Sequence, residues 1–209
     1  MCAQTRFALY GGTFDPVHTG HLEIARRVSA LFEIEKLLFI PAQMAPHKIG
    51  RPVTAPIHRY AMLALATEND PKLLISTFEL DAPDRRYTVD TIDHFQRLFG
   101  AECELFFIMG ADSWSEITTW REWERLLRMT NHIVVTRPGY EASTAHVGAL
   151  SKRVFFTDAV MNDVSATNIR RLASEGRIDE LAQLVPRPVL EYIRKYGIYR
   201  ELNEAKLNS

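Results

Sequence analysis

Two histidines, His18 and His21, stand one helical turn apart directly behind the run Gly11-Gly12-Thr13-Phe14-Asp15-Pro16. Imidazoles at that spacing share one helix face and offer N–H donors that become cationic beside a phosphate. The residues around them predict a matching backbone. Residues 7–10 read as a short buried strand, and Gly11 and Gly12 then permit a tight turn with close approach of a ligand. From Gly20 onward His21, Ile24, Ala25, Val28 and Phe32 recur at helical spacing, which places His21 in the first turn of a helix. A strand, a glycine turn and a helix N-terminus in succession make an anion site, because unpaired N–H groups and the positive dipole end face the ligand. The chemistry expected is the gripping of a polyphosphate by the backbone of Gly11, Gly12, Thr13 and Phe14 and by the two histidines. The glycine spacing is neither G-x-x-x-x-G-K-[ST] nor G-x-G-x-x-G, so neither a P-loop nor a dinucleotide-binding turn is expected. No third ligand lies at metal-binding spacing, so no protein-held metal is predicted. Outside their motif the two histidines would read as a helix cap and a core residue.

The elements that must position this segment alternate along the chain. Strand-like runs fall at residues 36–40, 73–78, 104–109, 132–136 and 154–156, and helical patterns at 20–32, 57–68, 88–99 and 122–129. That alternation predicts an α/β fold, a doubly wound parallel sheet covered by helices on both faces. Ligands of such sheets bind beyond the carboxyl ends of the strands, where the strand order reverses. The chain is expected to form a single domain over residues 1–209, with residues 160–209 as a small helical C-terminal part whose best-marked turns are 168–174 and 189–196. The proline-rich stretch 41–56 has no periodicity and carries Lys48 and Arg51, which reads as a functional loop able to close over a substrate.

Composition narrows the partners. Apolar residues make up 46% and charged residues 24%, and 25 Lys plus Arg against 26 Asp plus Glu leave a formal charge of -1. That balance argues against a general nucleic-acid or membrane surface, so phosphate binding has to come from local placement. Cys2 and Cys103 imply neither a disulfide framework nor a zinc cluster. With no signal peptide or membrane span in the sequence, a cytoplasmic location is expected.

The opening segment resembles the G-x-F-D-P-x-H-x-G-H signature of the nucleotidyltransferases that share an H-x-G-H motif. Four further segments are similar to those of the bacterial nicotinate mononucleotide adenylyltransferases within that superfamily. They are Pro41 to Lys48, resembling P-x-x-x-x-P-H-[KR]; Tyr87-Thr88-Val89-Asp90-Thr91, resembling Y-T-x-D-T; Gly110-Ala111-Asp112 with Trp120, resembling G-x-D…W; and Ser165 to Arg170, resembling S-x-T-x-I-R. Arg85 and Arg86 precede Tyr87, and Arg121 follows Trp120, where the family pattern has smaller and aromatic residues. The resemblance implies a Rossmann-like nucleotidyltransferase fold and adenylyl transfer from ATP to nicotinate mononucleotide, giving the deamido dinucleotide and pyrophosphate. His18, His21 and Arg170 are then the catalytic residues. ATP would be held by Gly11, Gly12, Thr13, Phe14, His18, His21, Gly110, Asp112, Ser165, Thr167 and Arg170. The pyridine nucleotide would meet Lys48 through its phosphate, Thr88 through its carboxylate, Asp112 through a ribose and Trp120 through ring stacking. Mg²⁺ is expected to travel with ATP on the phosphate oxygens. Three alternatives stay open: nicotinamide mononucleotide as acceptor, phosphopantetheine as acceptor, or a nucleotide-binding module without turnover.

Overall fold

The computed structural model describes residues 5–43, 53–82, 84, 86–136, 143–145, 147–158 and 164–200. In chain order these form β1 (Thr5–Gly12), α1 (Thr19–Leu31), β2 (Lys36–Pro41), α2 (Pro56–Thr67), β3 (Leu73–Ile75), α3 (Thr88–Phe99), β4 (Cys103–Gly110), α4 (Ala111–Ser115), α5 (Trp123–Met129), β5 (Asn131–Val135), β6 (Val154–Thr157), α6 (Ala166–Ser174), α7 (Ile178–Leu184) and α8 (Arg187–Tyr196). Single 3₁₀ turns stand at Ile117–Thr119 and Gly148–Arg153. The strands form one six-stranded sheet in the order β3-β2-β1-β4-β5-β6. Every neighbouring pair is parallel.

The period-two alternation of strand side chains divides the core into two layers. Ala8, Tyr10, Leu37, Phe39, Phe106, Ile108, Ile133 and Val135 face α1, α2 and the C-terminal helices. Leu9, Ile40, Leu105, Phe107, Met109 and Val134 face Val89, Ile92 and Phe95 of α3 and Leu126 and Leu127 of α5. With both faces covered, β4 reads as an unbroken apolar run and all of residues 105–109 are buried. Ile169, Ala173, Leu181, Val189 and Ile193 join the first layer, so the C-terminal helices share the core of the sheet.

The expected strand at 73–78 ends at Ile75. Phe78 N–H turns to the Ser76 hydroxyl at 3.1 Å, and the Phe78 ring stacks on His94 of α3 at 4.0 Å. Its apolar character serves a helix contact and not the ladder. In α2 the apolar Ile57 is 67% exposed while Arg59 is fully buried with Met62 and Leu63. The buried face thus begins on a cation. Helix α4 escaped the sequence reading because its five residues offer no full apolar period, whereas α7 falls within the C-terminal part read as helical, with no turn marked at that place. Among the described residues no helix is long and apolar enough to cross a membrane.

The strand order reverses between β1 and β4. The turn after β1 and the start of α4 after β4 therefore flank the crevice where ligands of doubly wound sheets bind.

Candidate active site

The turn that leaves β1 is shaped by aromatic rings. A Cβ on Gly11 would lie 3.0 Å from the Phe107 ring, and one on Gly12 would lie 2.9 Å from the Phe14 ring. The glycines are thus required by packing as well as by ligand approach. Phe14 has φ 49°, a left-handed conformation that its 2% exposed ring sustains by packing. That ring meets Tyr10, Phe39 and His21 edge-on at 5.5, 5.3 and 5.0 Å. Phe14 is the floor on which His21 rests, so only its backbone is left for a ligand. The Gly12 carbonyl accepts from Ala42 N–H at 2.9 Å on the β2 side. Since C=O and N–H point oppositely across a trans peptide, Thr13 N–H points away from β2.

His18 is the N-cap residue of α1 and His21 is its third residue. The two rings stack with centroids 3.6 Å apart. His21 Nδ1 accepts the His18 backbone N–H at 3.3 Å, which places the proton of a neutral ring on Nε2. A neutral His21 therefore carries its ring N–H at Nε2. His18 is 7% exposed, and its burial pulls its pKa down to about 4. Burial thus favours the neutral form of His18, and the 3.6 Å stack disfavours a charge on both rings unless an anion lies beside them. His18 Nδ1 is buried without a hydrogen-bond partner among the described residues. Gly20 explains the spacing of the pair. A Cβ there would stand 3.2 Å from His18 Nδ1 and 3.6 Å from Val164, so glycine lets the ring and the entrance to α6 close over the helix start.

Arg170 arrives from α6. Its Nη1 donates to the Asp15 carbonyl at 2.8 Å, 155 positions away in sequence, and its Nη2 donates to Thr167 Oγ1 at 3.1 Å. Ser165 caps α6 by accepting Asn168 N–H at 3.1 Å. Thr167 is not a cap; its oxygen receives Arg170, and its own O–H remains a donor. Both hydroxyls therefore keep a proton for an anion. Thr19 Oγ1 donates to the Leu184 carbonyl at 3.0 Å, fastening α7 to the same helix start. The Asp15 carboxylate accepts Tyr199 O–H at 2.7 Å and Thr54 N–H at 3.2 Å.

The remaining expected residues line the β4 side. Gly110 ends β4 facing open space, and the exposed Asp112 sits in the first turn of α4. Trp120 lies half-buried edge-on to Phe107 at 6.5 Å, its Nε1 buried without a partner among the described residues. Because Phe107 also abuts Gly11, one ring links the Trp120 side to the turn after β1. Thr88 is the first residue of α3, behind Tyr87. Asp90 already takes the Tyr87 N–H at 3.2 Å, which leaves the Thr88 and Val89 amides as the outward donors of the helix start. Arg121 stands over the Tyr87 ring at 4.8 Å and Arg86 over Phe78 at 4.2 Å, so both are held by aromatic faces beside α3. Lys48 lies outside the described residues.

Sequence reasoning placed Asp15 and Gly20 in the opening motif without a role of their own, and missed Arg59, Phe107 and Tyr199. Arg59 had a signal, a cation on the apolar stripe of α2. Tyr199 had none, since its hydroxyl meets Asp15 only through the tertiary fold.

A cytidylyltransferase-like family model matches residues 9–172, from within β1 to within α6. A probable nicotinate-nucleotide adenylyltransferase of Thermoanaerobacter sp. (strain X514) is 38% identical over 98% of this chain and 99% of its own length. A probable nicotinate-nucleotide adenylyltransferase of Thermus thermophilus is 41% identical over 93% of this chain and 100% of its own. The chain belongs to the nicotinate-nucleotide adenylyltransferases. The fold agrees. Plasmodium falciparum nicotinic acid mononucleotide adenylyltransferase complexed with NaAD superposes with a TM-score of 0.78 at 18% identity, over 93% of this chain and 97% of that one. As an adenylyltransferase the enzyme needs a divalent ion with its nucleotide. Among the described residues no group of three or more His, Cys, Asp or Glu is placed to hold a metal ion.

Proposed function

We propose that this adenylyltransferase moves the adenylyl group of ATP onto nicotinate mononucleotide, forming nicotinate adenine dinucleotide and pyrophosphate. The observation that carries the reading is Arg170 fastened 2.8 Å from the Asp15 carbonyl beside the stacked histidine pair. Adenylyl transfer needs charge neutralisation and alignment at one phosphorus and no protein nucleophile. An oxygen of the acceptor's 5′-phosphate attacks the α-phosphorus in line. The new P–O bond forms as the bridge to the β-phosphorus breaks, and its electron pair leaves with pyrophosphate. His21 Nε2–H and the Arg170 guanidinium stabilise the charge that builds on the α-phosphate oxygens, and His18 supports His21 by stacking and contributes its own ring donor.

The amides from Gly11 to Phe14, with Ser165 and Thr167, hold the other phosphate oxygens, and Gly110 and Asp112 receive the ribose. Trp120 stacks on the pyridine ring, the Thr88 amide takes its carboxylate, and Lys48 meets the acceptor phosphate. ATP enters as its Mg²⁺ complex. Residues 1–209 act as one domain in the cytoplasm, with small molecules as the only substrates.

The test is pyrophosphate release with Mg-ATP, offering nicotinate and nicotinamide mononucleotides in parallel. Strong preference for the acid is expected. Preference for the amide would overturn the acceptor pocket, and binding of ATP with no release for either would favour another phosphate acceptor or a module without turnover. In His21→Ala, turnover is expected to fall at least about a hundredfold while ATP affinity changes little, the signature of a group acting in the transition state.

A further inference from the structure

Arg59 is the fully buried cation of the described core, and every part of its guanidinium is engaged. Nε donates to the Thr54 carbonyl at 2.9 Å, Nη1 to the carbonyls of Thr13 at 2.9 Å and Ala42 at 2.7 Å, and Nη2 to that of Gln43 at 3.3 Å. These acceptors are backbone atoms from three separate stretches, the phosphate turn, the end of β2 and the approach to α2. A guanidinium in a rigid plane fixes their relative positions, which an ammonium on a flexible stem does not. The second tie is Asp15, 4% exposed, whose carboxylate holds Thr54 N–H and Tyr199 O–H. Burial lowers the Arg59 pKa and the Asp15 charge opposes that fall, so the carboxylate offsets part of the desolvation of Arg59.

The consequence for the turn follows from peptide geometry. Only the Asp15–Pro16 bond is cis among the described residues, so across Thr13–Phe14 the carbonyl and the next N–H point in opposite directions. With the Thr13 carbonyl drawn inward by Arg59, Phe14 N–H is turned outward, on the side opposite the buried core. We propose that Arg59 and Tyr199 are positioning residues for adenylyl transfer, Arg59 holding Thr13 and Tyr199 holding Asp15, so that Phe14 N–H faces the nucleotide phosphates and Arg170 finds the Asp15 carbonyl. The proposal rests on reading the turn as the nucleotide site and adds two residues that touch neither substrate. Buried polar clusters of this kind are costly unless satisfied, and the four hydrogen bonds of Arg59 all go to the backbone of the turn and its neighbours.

The experiment compares wild type, Arg59→Lys and Tyr199→Phe by steady-state pyrophosphate release, thermal unfolding and amide spectra of ¹⁵N-labelled protein titrated with ATP. Arg59→Lys keeps the charge and loses the fork. It is expected to lower kcat on the order of tenfold or more, at a temperature well below its own unfolding, with the ATP KM within about threefold. The Phe14 amide resonance should shift on ATP addition in wild type and shift much less in Arg59→Lys. Tyr199→Phe leaves the ring in place and removes one donor to Asp15, so a smaller fall in kcat is expected with the fold retained. A purely structural role would lower the unfolding temperature and leave kcat, KM and the Phe14 shift unchanged. Either variant with wild-type constants and a wild-type Phe14 shift overturns its half of the proposal, and Tyr199→Phe keeps the test open should Arg59→Lys fail to fold. The wild-type amide titration needs no acceptor, so failure of the acceptor assignment and failure of the positioning role read out separately.

Discussion

Gly20 shows how a single residue serves geometry against local preference. Glycine inside a helix costs about 1 kcal/mol relative to alanine, so Gly20→Ala should stabilise α1 in isolation. In the folded protein the added Cβ would stand 3.2 Å from His18 Nδ1 and 3.3 Å from Cε1, tighter than ordinary contact. The ring of His18 must then shift, and His21 stacked on it at 3.6 Å shifts with it. The expected outcome is an unfolding temperature at or above that of wild type together with a kcat lower on the order of tenfold. Thermal unfolding and pyrophosphate release on the same preparation check both halves. A loss of stability with unchanged kcat would show that the glycine is there for packing alone. The same residue scale explains why the histidines were legible and their environment was not. Spacing reveals that His18 and His21 share a face, but the position of the His21 proton depends on the His18 amide meeting His21 Nδ1.

At the scale of elements, α6 is the carrier of Arg170 and its start is set by one hydroxyl. Ser165→Ala removes the acceptor of Asn168 N–H and should cost about 1 kcal/mol, as N-cap losses usually do. For a chain of this size that corresponds to a fall of roughly 2–4 °C in the unfolding temperature. Because Arg170 is held to Asp15 from the second turn of α6, kcat should fall with the cap, and Ser165→Asp should restore the helix start while placing a negative charge beside the phosphates. Recovery of stability without recovery of kcat in Ser165→Asp is the expected pattern, measured by unfolding and turnover together. The helix was visible in sequence from its amphipathic stripe. Its docking on the turn after β1 was not, because the Arg170–Asp15 contact spans 155 positions with no periodic trace.

For the whole molecule, three buried titrating groups set how stability depends on pH. Burial holds the pKa of His18 and of His132 down to about 4, and burial holds that of Glu79 up to about 7 despite the Thr91 hydroxyl and Arg86. Between about pH 5 and 6 the unfolded chain therefore binds close to two more protons at the histidines, and the folded chain close to one more at Glu79. The net difference of one proton means that stability rises with pH by about 1.4 kcal/mol per unit across that window from these groups. Glu79→Gln removes the opposing member and should steepen the rise to about 2.7 kcal/mol per unit. Since the stabilisation by protonated Glu79 is lost as pH passes its folded pKa, the variant should also gain on wild type most at about pH 8 and least at about pH 4.5. Urea unfolding on both proteins from about pH 4.5 to about pH 8 measures these slopes, and equal slopes would remove Glu79 from the account.

Local patterns in the chain are enough for the α/β alternation, the glycine turn at the end of β1, the helix start bearing His18 and His21, and the family motifs out to Arg170. All of these are written in periods of two and 3.6 residues, or in short runs that a neighbouring helix end must follow. The assembled fold was needed to make β1 and β4 neighbours at the reversal of strand order, and to turn Arg59 and not Ile57 inward from α2. It alone brought Arg170, Thr54 and Tyr199 to a single aspartate. A buried hydrogen bond between distant residues is selected by the shape that the whole core leaves for it, and no short window of sequence contains that shape.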